Sequence, residues 1–129
     1  MIVVDTSVWI NALRSRDSKE SRHLIELLDA DQVAMAIPIR VEILSGSQRS
    51  QQATLSRTLS ALPLLYPSQS TWHRIEGWLG TIKNAGDWFG VGDLLIAGIA
   101  ADHSAAVWSL DSDFARMAKL KLVNLHRAH

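Results

Sequence analysis

Apolar residues recur along the chain with two periods, and the change from one to the other marks out its elements. Ile2-Val3-Val4 is a run of β-branched residues, the pattern of a short strand buried on both faces, and Asp5-Thr6-Ser7 reads as a strand exit turning into a helix N-terminus. That helix is expected around Val8 to Leu13, with a polar loop from Arg14 to Ser18 behind it. Residues 19 to 29 place Leu24, Leu27 and Leu28 at helical spacing, and Gln32 to Ile37 is a second strand. Pro38 suits a first helical position, where its missing N–H is not needed. In the helix it opens, Ile39, Glu42, Ile43 and Gly46 fall on one face, so a carboxylate shares a stripe with aliphatic side chains. Such a carboxylate is expensive to desolvate unless donors or a cation compensate it; it either snorkels to water or serves as a ligand.

Ser45-Gly46-Ser47 loosens this helix, and residues 48 to 61 resume one through Leu55, Leu59 and Leu62. Leu62 to Tyr66 is apolar and extended, but Pro63 removes a ladder donor and restricts it to a sheet edge. Pro67-Ser68 starts a helix with Trp72, Ile75, Leu79 and Ile82 on one stripe and Trp78 at its margin, a face for the core or for a subunit interface. Asn84 to Gly92 is a glycine-punctuated loop with Trp88-Phe89 expected to be exposed or semi-exposed. Residues 92 to 101 are apolar all round, a buried helix with Asp93 at its entrance; capping explains that acid, and so does a metal. Ala105 to Leu110 is the next strand, leaving through Asp111 and Asp113 into a helix lined by Phe114, Met117 and Leu120, and Lys121 to Leu125 makes the last strand. Short apolar strands alternating with helices predict one domain over residues 1–129, a three-layer α/β sandwich around a mostly parallel sheet with right-handed crossovers.

Composition narrows the chemistry. No apolar run approaches the roughly 18 residues that a membrane span needs, and the start lacks a basic region before an apolar core, so a cytoplasmic protein is expected. With no cysteine, thiolate nucleophiles and sulfur-ligated metals are excluded, and any metal must take oxygen or histidine ligands. The five histidines, at 23, 73, 103, 126 and 129, show no paired ligand spacing and are assigned to surface or helix-end positions. Thirteen basic and thirteen acidic residues cancel, so strong non-specific binding of polyanions is not expected. Arg14, Arg16, Lys19 and Arg22 nevertheless cluster after the first helix, either as solvated helix ends or as a phosphate-contacting patch. The five tryptophans mostly read as core or dimer contacts; Trp88, in a loop, is the outlier that could stack a base or receive a partner's side chain, with packing the favoured reading for it too.

Asp5 and Asp111 follow strands, while Glu42 and Asp93 sit on helices connected to them. Strand carboxyl ends line one edge of a parallel sheet, so these acids can converge, although capping alone is the commonest job for a residue such as Asp5. Carboxylates a few ångströms apart cannot all stay ionised unaided; they raise their pKa values or bind cations. Hard oxygen ligands suit magnesium or manganese completed by a substrate phosphate, which points to phosphoryl chemistry.

The opening Val-Val-Asp-Thr-Ser-Val-Trp-Ile, the Val-Glu-Ile-Leu-Ser-Gly helix at Glu42, the Gly-Asp-Leu-Leu-Ile-Ala-Gly helix at Asp93 and the Trp-Ser-Leu-Asp-Ser-Asp-Phe turn at Asp111 resemble the four ordered motifs of PIN-domain ribonucleases. In length and motif spelling the chain is most similar to the VapC-type toxins of bacterial toxin–antitoxin pairs. The resemblance covers essentially the whole chain and implies a flavodoxin-like α/β/α sandwich, a Mg2+- or Mn2+-dependent endoribonuclease that cuts by activated water, and a homodimer. Carried over position by position, it implies an acidic site of Asp5, Glu42, Asp93 and Asp111, with Asp5, Asp93 and Asp111 holding the metal directly or through water and Glu42 orienting or deprotonating the attacking water or completing a second metal site. Ser7 matches the hydroxyl of the first motif, Ser109 stands where threonine is common, and Asp113 is a supporting acid. Arg14, Arg16, Lys19 and Arg22 would steer RNA, and a small VapB-type antitoxin would block the site.

Three other readings fit the elements less well. A phosphate-accepting receiver domain wants paired acids after the first strand, where Asp5 is followed by Thr-Ser, and a haloacid-type phosphatase wants an acid at Ser7. A PIN-like module that grips RNA or protein without cutting is the remaining alternative, and the presence of all four acids weighs against it.

Overall fold

The structure, a computed structural model, describes residues 1–127, and His129 of the tail lies outside the described residues. The β-branched run forms β1 (Ile2–Val4), which pairs in parallel with β2 (Val33–Ala36) on one side and β4 (Ala106–Trp108) on the other. Ile2 stands opposite Val33 in one ladder and Ala106 in the other. Outside these lie β3 (Leu64–Leu65) and β5 (Asn124–Leu125), giving an all-parallel five-stranded sheet in the order β3-β2-β1-β4-β5. Every residue of β1 and β2 is buried, as strands covered on both faces must be. Seven helices supply the crossovers that parallel strands require: α1 (Thr6–Arg14), α2 (Lys19–Asp29), α3 (Ile37–Ser45), α4 (Gln52–Leu59), α5 (Gln69–Asn84), α6 (Val91–Asp102) and α7 (Ser112–Lys119). The result is a three-layer α/β/α sandwich.

The strand order reverses at β1. From it the chain steps outward through β2 to β3, then returns to the other side at β4. Crossovers diverge to opposite faces at such a point, and a crevice opens beyond the carboxyl ends of the two central strands. Those ends are Asp5 after β1 and Ser109 after β4.

Several elements differ from their sequence patterns for local reasons. Helix α1 starts at Thr6, two residues before the first apolar position, because Asp5 caps it. Strand β2 stops at Ala36 and Ile37 already belongs to α3, which puts Pro38 in the second helical position. A single 3₁₀ turn at Arg49–Gln51 precedes α4. At the sheet edge only Leu64 and Leu65 are strand, yet Pro63 still joins the ladder through its carbonyl, which accepts from the Met35 N–H at 2.8 Å. The last strand shrinks to two residues because Lys121 takes a left-handed turn with φ 64°.

Helix α6 is the buried helix its composition predicts, with Leu94 and the run from Ile96 to Ala100 out of solvent. A side chain at Gly98 would come within 3.0 Å of Thr71 Cγ2, so α5 lies directly on the α6 backbone there. Only half of the expected α5 stripe faces inward: Ile75 and Ile82 are buried, while Trp72 and Leu79 stand in solvent. In the loop after α5 the two aromatics separate, Trp88 being 79% exposed and Phe89 only 4%, which corrects the expectation that both face outward.

Candidate active site

The β1 exit is built around Asp5. Extended backbone at φ −68° and ψ 157° carries the chain out of the strand, and the Asp5 carboxylate caps α1 by accepting from the Ser7 N–H at 3.4 Å. The same oxygen, Oδ2, accepts from the Ser7 hydroxyl at 2.8 Å and from the Ser109 hydroxyl at 2.7 Å. Ser7 Oγ in turn accepts from the Leu110 N–H at 3.0 Å, and Ser109 Oγ accepts from the Asp111 N–H at 2.9 Å. Capping and site-building are therefore not alternatives for Asp5, because the capping geometry also fastens the β1 exit to the β4 exit.

The second half of the site gathers beyond β4. Asp111 caps α7, accepting from the Asp113 N–H at 2.9 Å, and Asp93 is the third residue of α6. Asp93, Asp111 and Asp113 each offer a carboxylate oxygen, and these atoms lie within 4.8 Å of one another. Burial, the hydrogen bond with Asp113 and the negative charges of Asp111, Asp113 and Asp5 push the Asp93 carboxyl up to about 7. Asp113 goes the other way, held low first by its hydrogen bond from Arg116 and then by that from Asp93. Glu42, on α3, is raised by burial and by the charge of Asp5, with the Thr6 hydroxyl pulling it back down.

The fold brings Asp5, Ser7, Glu42, Asp93, Ser109, Asp111 and Asp113 to one end of the sheet. Within that group the tight trio is Asp93, Asp111 and Asp113, while Asp5 adjoins it with its three hydrogen bonds all on Oδ2, so Oδ1 is not taken up by the serines. Glu42 stands at the exposed rim, its stripe partners Ile39 and Ile43 being the buried members. Two of the four basic residues line different cavities. Arg14 lines a cavity of about 410 Å³ together with Glu42 and Leu55, whereas Lys19 lines one of about 430 Å³ together with Ser109, His126 and Arg127. Arg16 is exposed and lines neither cavity, and Arg22 donates to the Asp17 carbonyl at 3.0 Å.

Other contacts were out of reach of sequence spacing. His23 and His126 meet with their Nε2 atoms 2.8 Å apart, and rings 5° from coplanar with centroids 5.1 Å apart must be joined tip to tip in one plane. Their facing nitrogens are engaged with each other, and the edge of Trp108 packs against both rings. His103 does take a helix end, capping α6 with Nδ1 at 3.0 Å from the Ile99 carbonyl. Arg116, bonded to both Asp113 and Asp87, carried a weak local signal: it lies three residues after Asp113 on the same helix. The Asp87 partner is 29 residues away and carried none.

Three hard oxygen donors from separate carboxylates, one of them forced to keep a proton by the others, form a set that fits a small divalent cation such as Mg2+ or Mn2+. A bound cation removes the reason for the proton, and Asp93, Asp111 and Asp113 are the residues that would hold it, with Asp5 adjoining.

Residues 2–120 match the PIN domain. Over 125 residues the chain is 33% identical to VapC ribonuclease Mb1587 of Mycobacterium bovis, and equally to ribonuclease VapC11 of Mycobacterium tuberculosis, with 93% of each chain covered. Among solved structures it superposes on FitAcB from Neisseria gonorrhoeae with a TM-score of 0.81 at 20% identity, covering 99% of this chain and 98% of that one. VapBC2 from Rickettsia felis, bound to a DNA fragment from its promoter, gives 0.78 at 20% identity with 98% of both chains covered. At that identity the structures speak for the fold alone; the domain match over nearly the whole length and the one-third identity to VapC ribonucleases place this chain in the PIN-domain family.

Proposed function

We propose that the chain, one PIN domain over residues 1–129, is the toxin of a toxin–antitoxin pair: a metal-dependent endoribonuclease that cuts RNA phosphodiester bonds and so inhibits translation or growth. The observation that carries the reading is the trio of Asp93, Asp111 and Asp113 at the switch point of the sheet, with Asp93 raised to about 7 first by burial and then by its acidic neighbours. When bound, a Mg2+ or Mn2+ ion supplies charge for the scissile phosphate and lowers the pKa of a water. Asp93 and Asp111 would hold that ion with an oxygen from Asp113, and Asp5 would add its negative charge beside them. Glu42, at the rim and raised above the usual carboxylate range, is suited to take the proton of the attacking water. Ser7 and Ser109 keep Asp5 aimed. Arg14, in the cavity that includes Glu42, and Lys19, in the cavity that includes Ser109, meet RNA phosphates, while Arg16 and Arg22 add longer-range attraction.

A VapB-type antitoxin is the partner, a reading supported by the neighbours from Rickettsia felis and Haemophilus influenzae, both described as VapBC assemblies. A homodimer covers the exposed apolar face of Trp72, Leu79, Trp88 and Val91. Among the described residues no helix is long and apolar enough to cross a membrane, and the site of action is the cytoplasm.

The test is cleavage of a defined RNA panel, including transfer RNAs and ribosomal fragments, with Mg2+, with Mn2+ and with chelator, beside D93N. Cuts that need metal and vanish in the variant are expected. If parent and D93N bind RNA equally and neither cuts, the protein is a binding module and the nuclease assignment is wrong.

A further inference from the structure

Among the described residues, Arg116 is the cation that forms an ion pair with a member of the acidic trio. It sits one turn beyond Asp113 on α7, and its guanidinium donates from one nitrogen to Asp113 and from another to Asp87 Oδ1 at 2.7 Å. Its Cζ also lies 4.7 Å from the centroid of Phe89, the loop aromatic that is out of solvent. Asp87 and Phe89 belong to the loop that runs directly into α6, where Asp93 is the third residue. A carboxylate oxygen of Asp113 lies within 4.8 Å of one from Asp93. A closed circuit results: loop to α6, Asp93 to Asp113, Asp113 to Arg116, and Arg116 back to the loop through Asp87. The planar guanidinium can bridge two carboxylates while resting on an aromatic face, which an ammonium cannot do with the same geometry.

We propose that Arg116 is a positioning residue for the acidic trio. It fixes one oxygen of Asp113 and the start of α6, so that Asp93, Asp111 and the remaining oxygen of Asp113 converge at the separation a divalent cation requires. The inference rests on reading the trio as a cation site. Arg116 opposes that site in pure charge, since a nearby cation disfavours a second one, and this gives the role a sign. Through charge alone, losing Arg116 would tighten cation binding; through positioning, losing it weakens binding.

Mn2+ binding to the purified chain, followed by calorimetry and by the electron paramagnetic resonance signal of the free ion, reads that sign without reference to activity. R116Q is expected to weaken Mn2+ binding about tenfold or more, the usual cost of removing a group that orients a metal ligand. R116K restores the charge but not the two-pronged bridge, and should recover only part of the loss. D87N, which cuts only the loop arm, should weaken binding by less than R116Q. In cleavage assays R116Q should need more Mg2+ for half-maximal rate while its rate at saturating metal approaches the parent's. R116Q that keeps the parental circular dichroism spectrum and binds Mn2+ as tightly as the parent, or tighter, overturns the proposal. Should R116Q fail to fold, R116K with full parental affinity does the same. A parent that binds no Mn2+ overturns the cation reading itself, and this inference with it.

Discussion

Asp5 and Asp93 face the same crevice from opposite sides and meet opposite fates. Asp5, 6% exposed, accepts three hydrogen bonds, from the Ser7 amide and the Ser7 and Ser109 hydroxyls. Asp93 is crowded by Asp111 and Asp113 and pushed up to about 7. One carboxylate is satisfied by its own fold; the other is held in a place that suits it only when something positive arrives. A carboxylate that is well bonded within the fold stabilises it, whereas one kept among like charges costs stability and gains binding, as functional sites commonly do.

The contrast is broken most severely by removing Asp93. D93N should lower RNA cleavage by on the order of a hundred- to a thousandfold, the range seen when one preorganised electrostatic group is lost. The same variant should melt higher than the parent at pH 8 without metal, because it removes a charge from the crowd. Asp5 should behave in the opposite sense: D5A loses three hydrogen bonds and the α1 cap, and chemical denaturation should show it less stable by about 3 kcal/mol.

A milder probe is pH. The Asp93 carboxyl is raised from 3.8 to about 7, so in the window between those values the folded chain holds a proton that the unfolded chain has released. Stability from this group is therefore fully present below about pH 4 and falls as pH rises towards about 7. Asp102 and Asp113 shift downward, and their contributions are lost only as pH falls below the ordinary carboxylate range, outside that window. Thermal melts of the metal-free protein should thus drop between about pH 4 and pH 7 and level off above that, with a smaller drop in D93N; an equal drop in both would assign the effect to another raised carboxyl such as Glu42. The smallest effect belongs to Ser109. S109A removes a donor to Asp5 and an acceptor for the Asp111 amide and should cost about 1 kcal/mol in denaturation. S109T keeps the hydroxyl and should match the parent.

The contrast also marks how far the sequence could be read. Asp5 and Asp111 were legible because a β-branched or apolar run followed by an acid is a local pattern, and a parallel sheet sends such exits to one edge. Asp93 was legible as an acid opening an apolar helix, with capping and a metal both open. The close grouping of Asp113 with Asp93 and Asp111 was not legible, and neither was the contact that ties the β1 exit to the β4 exit, since Ser7 and Ser109 are 102 residues apart. Trp88 and Phe89 are neighbours in a glycine-rich loop with nothing in their spacing to distinguish them; Arg116, lying over Phe89, shows which of the two turns inward. His23 and His126, 103 residues apart, form a pair that only the adjacency of α2 and the end of β5 creates.

The central claim is that the crowded trio waits for a cation, and direct Mn2+ titration of the parent and of D93N across pH 6 to 8 tests it most simply. Saturable binding to the parent is predicted, weakening by about tenfold per unit as pH falls below the Asp93 value because one proton competes with the metal, and binding should be lost in D93N. Binding that ignores pH and survives D93N unchanged would contradict the account and move the metal away from these acids.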